Sequence, residues 1–303
     1  METAIPSGTI VVGVDGSPSA ARALEWATDQ AVREHRQLTL VHGVGPQGVV
    51  WIEQSGPDHR VALDAMRDDA RTVLDAALAA VLHRAPGLEV HQVLRVADGR
   101  QALLEESKDA AMVVVGSRGR GPVKSLLLGS VGVAVTRHAA CPVVVVRPNN
   151  PGLVRRGVLV GVDGTAPAPE TLEFAYRMAS LRGLPLTVMH CFWDARPISP
   201  VDEAVGGTAA DLEDQRLLVA ESVSGMTEKF PDVHVHTELA RGLADDCLVR
   251  GSGRMEMVVV GFHPAGKVSG LVYGSVASTV LEHASCVVAV VPEPVPEPAP
   301  GSG

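Results

Sequence analysis

The chain has 303 residues and a mass of 31.6 kDa, about twice the ~150 residues of a typical domain, so two domains are expected. Apolar residues make up 46% and charged residues 20%, enough for packed cores and too apolar for a disordered chain. Aromatics at 3%, a net charge of −9 and a pI near 5.6 argue against stacking on single-stranded nucleic acid and against a polyanion-binding surface, leaving room for one local anion pocket.

Short runs rich in Val, Leu and Ile predict strands at 9–14, 37–44, 89–96, 111–116 and 142–147. Most lack polar alternation, as expected of strands covered on both faces. Helical stretches fall between them at 18–35, 60–84, 99–109 and 130–140. Within 60–84, Val73, Leu74, Ala77, Leu78, Val81 and Leu82 make one stripe at spacings of 3 and 4. A joint follows in Arg147-Pro148-Asn149-Asn150-Pro151-Gly152.

Beyond the joint the pattern begins again. Thr9-Ile10-Val11-Val12-Gly13-Val14-Asp15-Gly16-Ser17 recurs as Gly157-Val158-Leu159-Val160-Gly161-Val162-Asp163-Gly164-Thr165, and Leu38-Thr39-Leu40-Val41-His42 as Leu186-Thr187-Val188-Met189-His190. Val113–Gly116 recurs as Val258–Gly261, Gly129-Ser130-Val131 as Gly274-Ser275-Val276, and His138 with Cys141 as His283 with Cys286. Matches this ordered make the chain a tandem duplication. The expected architecture is two doubly wound α/β domains, 1–148 and 156–292, each a five-stranded, mainly parallel sheet with helices on both faces. A Pro-rich tail, 293–303, completes the chain and reads as a solvated end.

No run approaches the ~18–20 apolar residues that span a bilayer, and Met1-Glu2-Thr3-Ala4 lacks the order of a secretory signal. Cys141, Cys191, Cys247 and Cys286 are far apart in sequence and read as small packed hydrophobes rather than as a zinc site or disulfide scaffold. A soluble, cytoplasmic protein is expected.

In sheets of this kind the ligand crevice lies beyond the carboxyl ends of the strands where strand order reverses, which singles out Val14–Asp15, Val41–His42 and Val115–Gly116. The fourth strand runs into Gly116-Ser117-Arg118-Gly119-Arg120-Gly121, and Gly129-Ser130 opens the next helix. Glycines let the backbone approach a ligand, bare N–H groups of the turn make an anion concavity, and the helix start adds its own amides and dipole. Arg118, Arg120 and Lys124 supply positive charge, and Ser130 a hydroxyl donor. Together these describe a phosphate cradle. Asp15 is a short carboxylate at a strand end, suited to accept hydrogen bonds from a base or ribose; Asp15-Gly16-Ser17 also reads as a turn and helix cap.

Gly-x2-Gly-x9-Gly-[Ser/Thr], here Gly116, Gly119, Gly129 and Ser130, resembles the ATP-binding signature of the universal stress protein family, as do Gly13–Ser17 and Leu38–His42. The resemblance covers nearly the whole chain, twice, and implies a Rossmann-like fold binding ATP, alone or with magnesium. By that resemblance Asp15 and backbone groups of Val41 would hold adenine. Gly116 and Gly119 would approach ribose and phosphates, and Gly129, Ser130 and Val131 would take the phosphate tail. It also implies pairing through the final strand of each domain, 142–147 and 286–291, so that the two halves could pair with each other and the whole chain could pair again as a homodimer.

The second half departs from this pattern. Asp163, Met189, Gly261, Gly274, Ser275 and Val276 stand at equivalent places, but Phe262 and His263 replace Ser117 and Arg118, and Pro264 replaces the second glycine. Proline removes an N–H donor and fixes φ, so a weaker or altered nucleotide site is expected there.

Other signals weigh less. Gly261–Lys267 fits a Walker loop only as far as the lysine, with Val268 where a hydroxyl is required. His42 and His190 recur in both halves, including the altered one, which suits a structural role. His234 and His236 could pair on a metal but lack further ligands nearby, so no metal site is expected. Residues 116–130 contain no Asp, Glu or His, so binding without dedicated catalysis is the expectation; the alternative is a slow ATPase or nucleotidyl-transfer enzyme using Asp15 and bound magnesium. The sequence leaves the protein partner that would read the bound state unidentified.

Overall fold

The computed structural model describes residues 5–45, 57–119, 128–148, 157–162, 169–192, 209–262 and 273–293. The chain divides into two compact units, Met1–Asn149 and Asn150–Gly303.

In the first unit, strands and helices alternate as β1 (Thr9–Gly13), α1 (Pro18–Glu34), β2 (Leu38–Gly43), α2 (Pro57–Arg84), β3 (Val90–Arg95), α3 (Gly99–Glu106), β4 (Ala110–Gly116), α4 (Ser130–His138) and β5 (Val143–Val146). The strand order is β3-β2-β1-β4-β5, and every pairing is parallel. Ile10, Val11, Val12, Met112, Val113 and Val114 are fully buried, because helices cover both faces of a parallel sheet. The chain winds outward through β2 and β3, then returns to the other side of β1 with β4. Strand order therefore reverses between β1 and β4, and the crevice of the unit opens there.

Local chemistry sets the helix ends that border this crevice. Ser17 caps α1, its Oγ accepting the Ala20 N–H at 3.2 Å, with Pro18 at the first helical position. Asp98 caps α3 through the Arg100 N–H at 2.8 Å. The far end of α3 is tied to β3 by Arg95 and the almost fully buried Glu106, 2.7 Å apart. Removing one partner of such a buried pair costs about 3–5 kcal/mol, since the other charge is left uncompensated.

The second unit repeats the plan as β6 (Val158–Val162), α5 (Pro169–Arg182), β7 (Leu186–Phe192), α6 (Ala209–Ser222), α7 (Met226–Lys229), β8 (Val235–Arg241), α8 (Ala244–Ser252), β9 (Met257–Phe262), α9 (Tyr273–His283) and β10 (Val287–Pro292). Its order is β10-β9-β6-β7-β8, again all parallel. Duplication extends to single hydrogen bonds. The His42 Nδ1–H donates to Val14 O at 2.5 Å and the His190 Nδ1–H to Val162 O at 3.0 Å. Ser107 Oγ accepts the Ala140 N–H at 3.1 Å, as Ser252 Oγ accepts the Ser285 N–H at 3.0 Å. Both histidines thus brace the second strand of a unit against the end of its first. Among the described residues no helix is long and apolar enough to cross a membrane.

Candidate functional site

A cavity of about 760 Å³ occupies the crevice of the first unit, at the carboxyl ends of β1, β2 and β4. Its floor and walls come from segments far apart in sequence: Gly13–Pro18, Val41–Gly43, Val115–Gly119 without Ser117, and Gly129–Gly132. Among the residues expected from sequence, Gly13, Asp15, Val41, Gly116, Arg118, Gly119, Gly129, Ser130 and Val131 converge here. Ser117 does not line it. That side chain is buried, and its backbone is spent on the frame, N–H to Val146 O at 3.0 Å and carbonyl to the Gly129 N–H at 2.9 Å. Arg120, Gly121 and Lys124 lie outside the described residues.

Two glycines are required by close approach. A Cβ on Gly116 would stand 2.6 Å from the backbone carbonyl carbon and oxygen of Ser19, so the end of β4 seats directly on the start of α1. Ser19 Oγ in turn accepts the Arg118 N–H at 3.2 Å, setting the direction in which the loop leaves the strand. A Cβ on Gly119 would meet Asp15 Oδ2 at 2.8 Å. Asp15 is itself positioned by its other oxygen, which accepts the Ser17 N–H at 2.9 Å across Gly16, whose φ of 76° is a conformation glycine adopts freely. The carboxylate therefore belongs both to the cap of α1 and to the cavity wall.

The opposite contribution comes from α4. Gly129 at its N-cap offers no side-chain oxygen, and the first bond into the helix runs from Val133 N–H to Gly129 O. The amides of Ser130, Val131 and Gly132 precede that bond and have no carbonyl within the helix to accept them; all three residues line the cavity. The helix dipole adds positive potential at the same point. Val41 contributes an apolar wall, while its carbonyl accepts the Val14 N–H at 3.0 Å. Bare amides, a helix start and a carboxylate acceptor within one cavity suit a ligand with a polar, hydrogen-bonding body and an anionic tail.

Several lining residues escape the sequence reading. Gly43, Gly99, Leu103 and Gly132 all line the cavity. A Cβ on Gly43 would collide with Gly99 Cα at 2.7 Å, which brings β2 against the start of α3, and Leu103 fills the space beneath Gly13. The Asp98-Gly99 cap signal marks that helix start in the sequence, but only the tertiary fold carries it to the crevice.

The second unit differs at the matching place. Gly161 is packed over Leu248 as Gly13 is over Leu103, and Met189 is buried in β7. Asp163 and Pro264 lie outside the described residues. Gly274 and Ser275 stand within the first turn of α9 rather than ahead of it, and Val276 follows them. Against Gly261, where the first unit has Ser19 against Gly116, sits the carboxylate of Glu293. It is buried, its Oε1 accepts the Thr171 hydroxyl at 2.5 Å, and its N–H donates to Phe262 O at 3.0 Å. The first residue of the tail thus packs into the second unit and brings a negative charge to the end of β9.

Comparison with known proteins bears on the family and the fold. The family described as "Universal stress protein family" matches residues 7–147 and 155–292. A universal stress protein of Mycolicibacterium smegmatis is 34% identical over 288 residues, covering 93% of this chain and 96% of the relative. One from Mycobacterium tuberculosis is 33% identical over 290 residues, covering 94% and 96%. Among solved structures, a universal stress protein from Archaeoglobus fulgidus superposes with a TM-score of 0.68 at 21% identity, over 95% of this chain and 99% of that one. That structural likeness bears on the fold.

Proposed function

We propose that this chain, which belongs to the universal stress protein family, is an ATP-binding regulatory protein of stress adaptation that acts by holding the nucleotide rather than by consuming it. The observation that carries the reading is the convergence of three separated sequence motifs on one cavity, with the Ser130–Gly132 amides and the Gly116–Gly119 turn as anion contacts and Asp15 as a fixed acceptor. The phosphates would lie on the amides of α4, and Asp15 would take donors of the nucleoside. Efficient hydrolysis needs a group that positions water and a carboxylate or hydroxyl that holds metal. Of the titratable side chains lining the cavity, Asp15 is already tied to Ser17 and His42 to the Val14 carbonyl. Binding in the cytoplasm, homodimerisation through β5 and β10, and an unidentified protein partner that reads the loaded state complete the proposal.

Titration calorimetry of the intact chain with ATP, alone and with magnesium, tests it. Saturable binding that Gly119→Ala weakens supports the reading, and absence of binding to protein stripped of copurified small molecules overturns it. Steady phosphate release, lost in Asp15→Asn while binding persists, would instead establish the catalytic alternative.

A further inference from the structure

Duplication allows each position of the second unit to be read against its counterpart in the first, and one pair of substitutions stands out. The segment Leu38–His42 followed by Gly43 corresponds to Leu186–His190 followed by Cys191. Leu103, which fills the space under Gly13, corresponds to Leu248 under Gly161, so Ala102 before it corresponds to Cys247. In the first unit Gly43 lines the nucleotide cavity and Ala102 lies in the first turns of α3 beside its wall. The second unit places a thiol at each of these two points.

We propose that Cys191 and Cys247 form a reversible dithiol–disulfide pair, a modification site in the second unit that a hydroperoxide closes and a dithiol reopens. Cys191 stands in β7 opposite Ala240 of β8, and the next residue, Phe192, accepts the Gly242 N–H at 3.1 Å. Cys247, in the first turn of α8, holds its sulfur 3.9 Å from Arg241 O; a Cβ on Gly242 would meet that sulfur at 3.3 Å. The turn between β8 and α8 thereby lays the Cys247 thiol over the end of β7, where it neighbours Cys191. The glycine at 242 is what leaves room for the sulfur. Both thiols are reduced in this state.

The surroundings assign different roles to the two sulfurs. Arg250 Nη2 donates to Cys247 Sγ at 3.4 Å, placing a cation on the sulfur that attacks. Burial, the neighbouring Cys247 and the charge of Glu238 push the half-buried Cys191 thiol up to about 12, so it stays protonated until its partner becomes electrophilic. In the first step Cys247 sulfur bonds to one peroxide oxygen and the O–O bond breaks. The second oxygen leaves with the proton from Cys247, as water from hydrogen peroxide or as an alcohol from an organic hydroperoxide, giving a sulfenic acid. In the second step Cys191 sulfur attacks Cys247 sulfur, the S–O bond breaks, and the sulfenic oxygen leaves as water with the proton from Cys191. The two thiols lose two electrons and the peroxide gains them. Burial of the attacking Cys247 sulfur makes this a slow reaction, suited to sustained rather than momentary oxidant exposure.

The experiment treats the intact chain with hydrogen peroxide, alkylates remaining thiols and maps peptides without reductant by mass spectrometry. The expected result is a peptide linking Cys191 to Cys247 within one chain, one-to-one loss of their alkylation, and return of both on dithiothreitol. Cys141 and Cys286, both buried, stay alkylatable after unfolding. In Cys191→Ser the linked peptide disappears and dimedone labelling of Cys247 rises several-fold. Failure of the link to form at a peroxide dose that oxidises an exposed thiol, whether both sulfurs stay reduced or each becomes a sulfinic acid alone, overturns the proposal. A link between two chains overturns it equally.

Discussion

A methyl group on Gly119 would stand 2.8 Å from Asp15 Oδ2, whereas one on Gly129 would meet nothing nearer than Arg118 Cα at 3.6 Å. Gly119 is not in the left-handed region, so alanine is acceptable to the backbone there, and the cost falls on the carboxylate that must move. Gly119→Ala is therefore expected to weaken ATP binding about tenfold, or ~1.4 kcal/mol, while changing unfolding stability by less than ~0.5 kcal/mol. Calorimetric titration beside a thermal melt checks both halves; unchanged affinity would take Gly119 out of the site. Gly116→Ala should behave in the opposite way. Its Cβ would press on the Ser19 backbone at 2.6 Å, which no side-chain rotation relieves, so about 1–3 kcal/mol of stability is lost with or without ligand.

At the scale of elements, duplication offers an internal control. Helix α1 ends on His35 with φ of 52°, while the corresponding helix α5 is followed by Gly183 with φ of 60°. A left-handed conformation costs a side chain about 1 kcal/mol that glycine avoids, so His35→Gly should stabilise the first unit by ~0.5–1 kcal/mol in denaturant unfolding. Helix α3 depends instead on its start. Hydrogen bonds from the Arg100 side chain and backbone hold the Asp98 carboxyl below the usual carboxylate range, and Asp98→Ala should cost about 1 kcal/mol. Because the folded value lies below the unfolded one, the charge contributes fully above about pH 4 and its contribution fades as pH falls through the folded value. Asp98→Asn retains an acceptor, so its stability gap from the unsubstituted chain should close on acidification; a gap constant with pH would contradict the assignment. The cap of α1 was legible because it is local, Asp15-Gly16-Ser17 being consecutive residues, and unbroken Val runs mark buried parallel strands. Gly43 beside Gly99, and Glu293 against Gly261, were not, because each pairs residues that only the folded sheet brings together.

Across the molecule, duplication has kept the scaffold and varied what stands at the strand ends. Buried strands, bracing histidines and the Ser107 and Ser252 helix contacts are alike in both units, since each is needed to close a sheet under its helices. At the end of β4 the first unit presents glycines and an uncapped helix start; at the end of β9 the second has a buried carboxylate bonded to Thr171. A negative charge fixed at that point opposes a phosphate tail, and replacement of the second loop glycine by Pro264 removes an amide that would bind it. One ATP per chain is therefore expected by calorimetry, not two. Hydrogen exchange gives the same test a location: saturating ATP should slow exchange at 115–119 and 129–132 and leave 258–262 unchanged. Two equal sites, or protection shared by both strand ends, would show that Glu293 yields to the ligand and that the units are equivalent receptors.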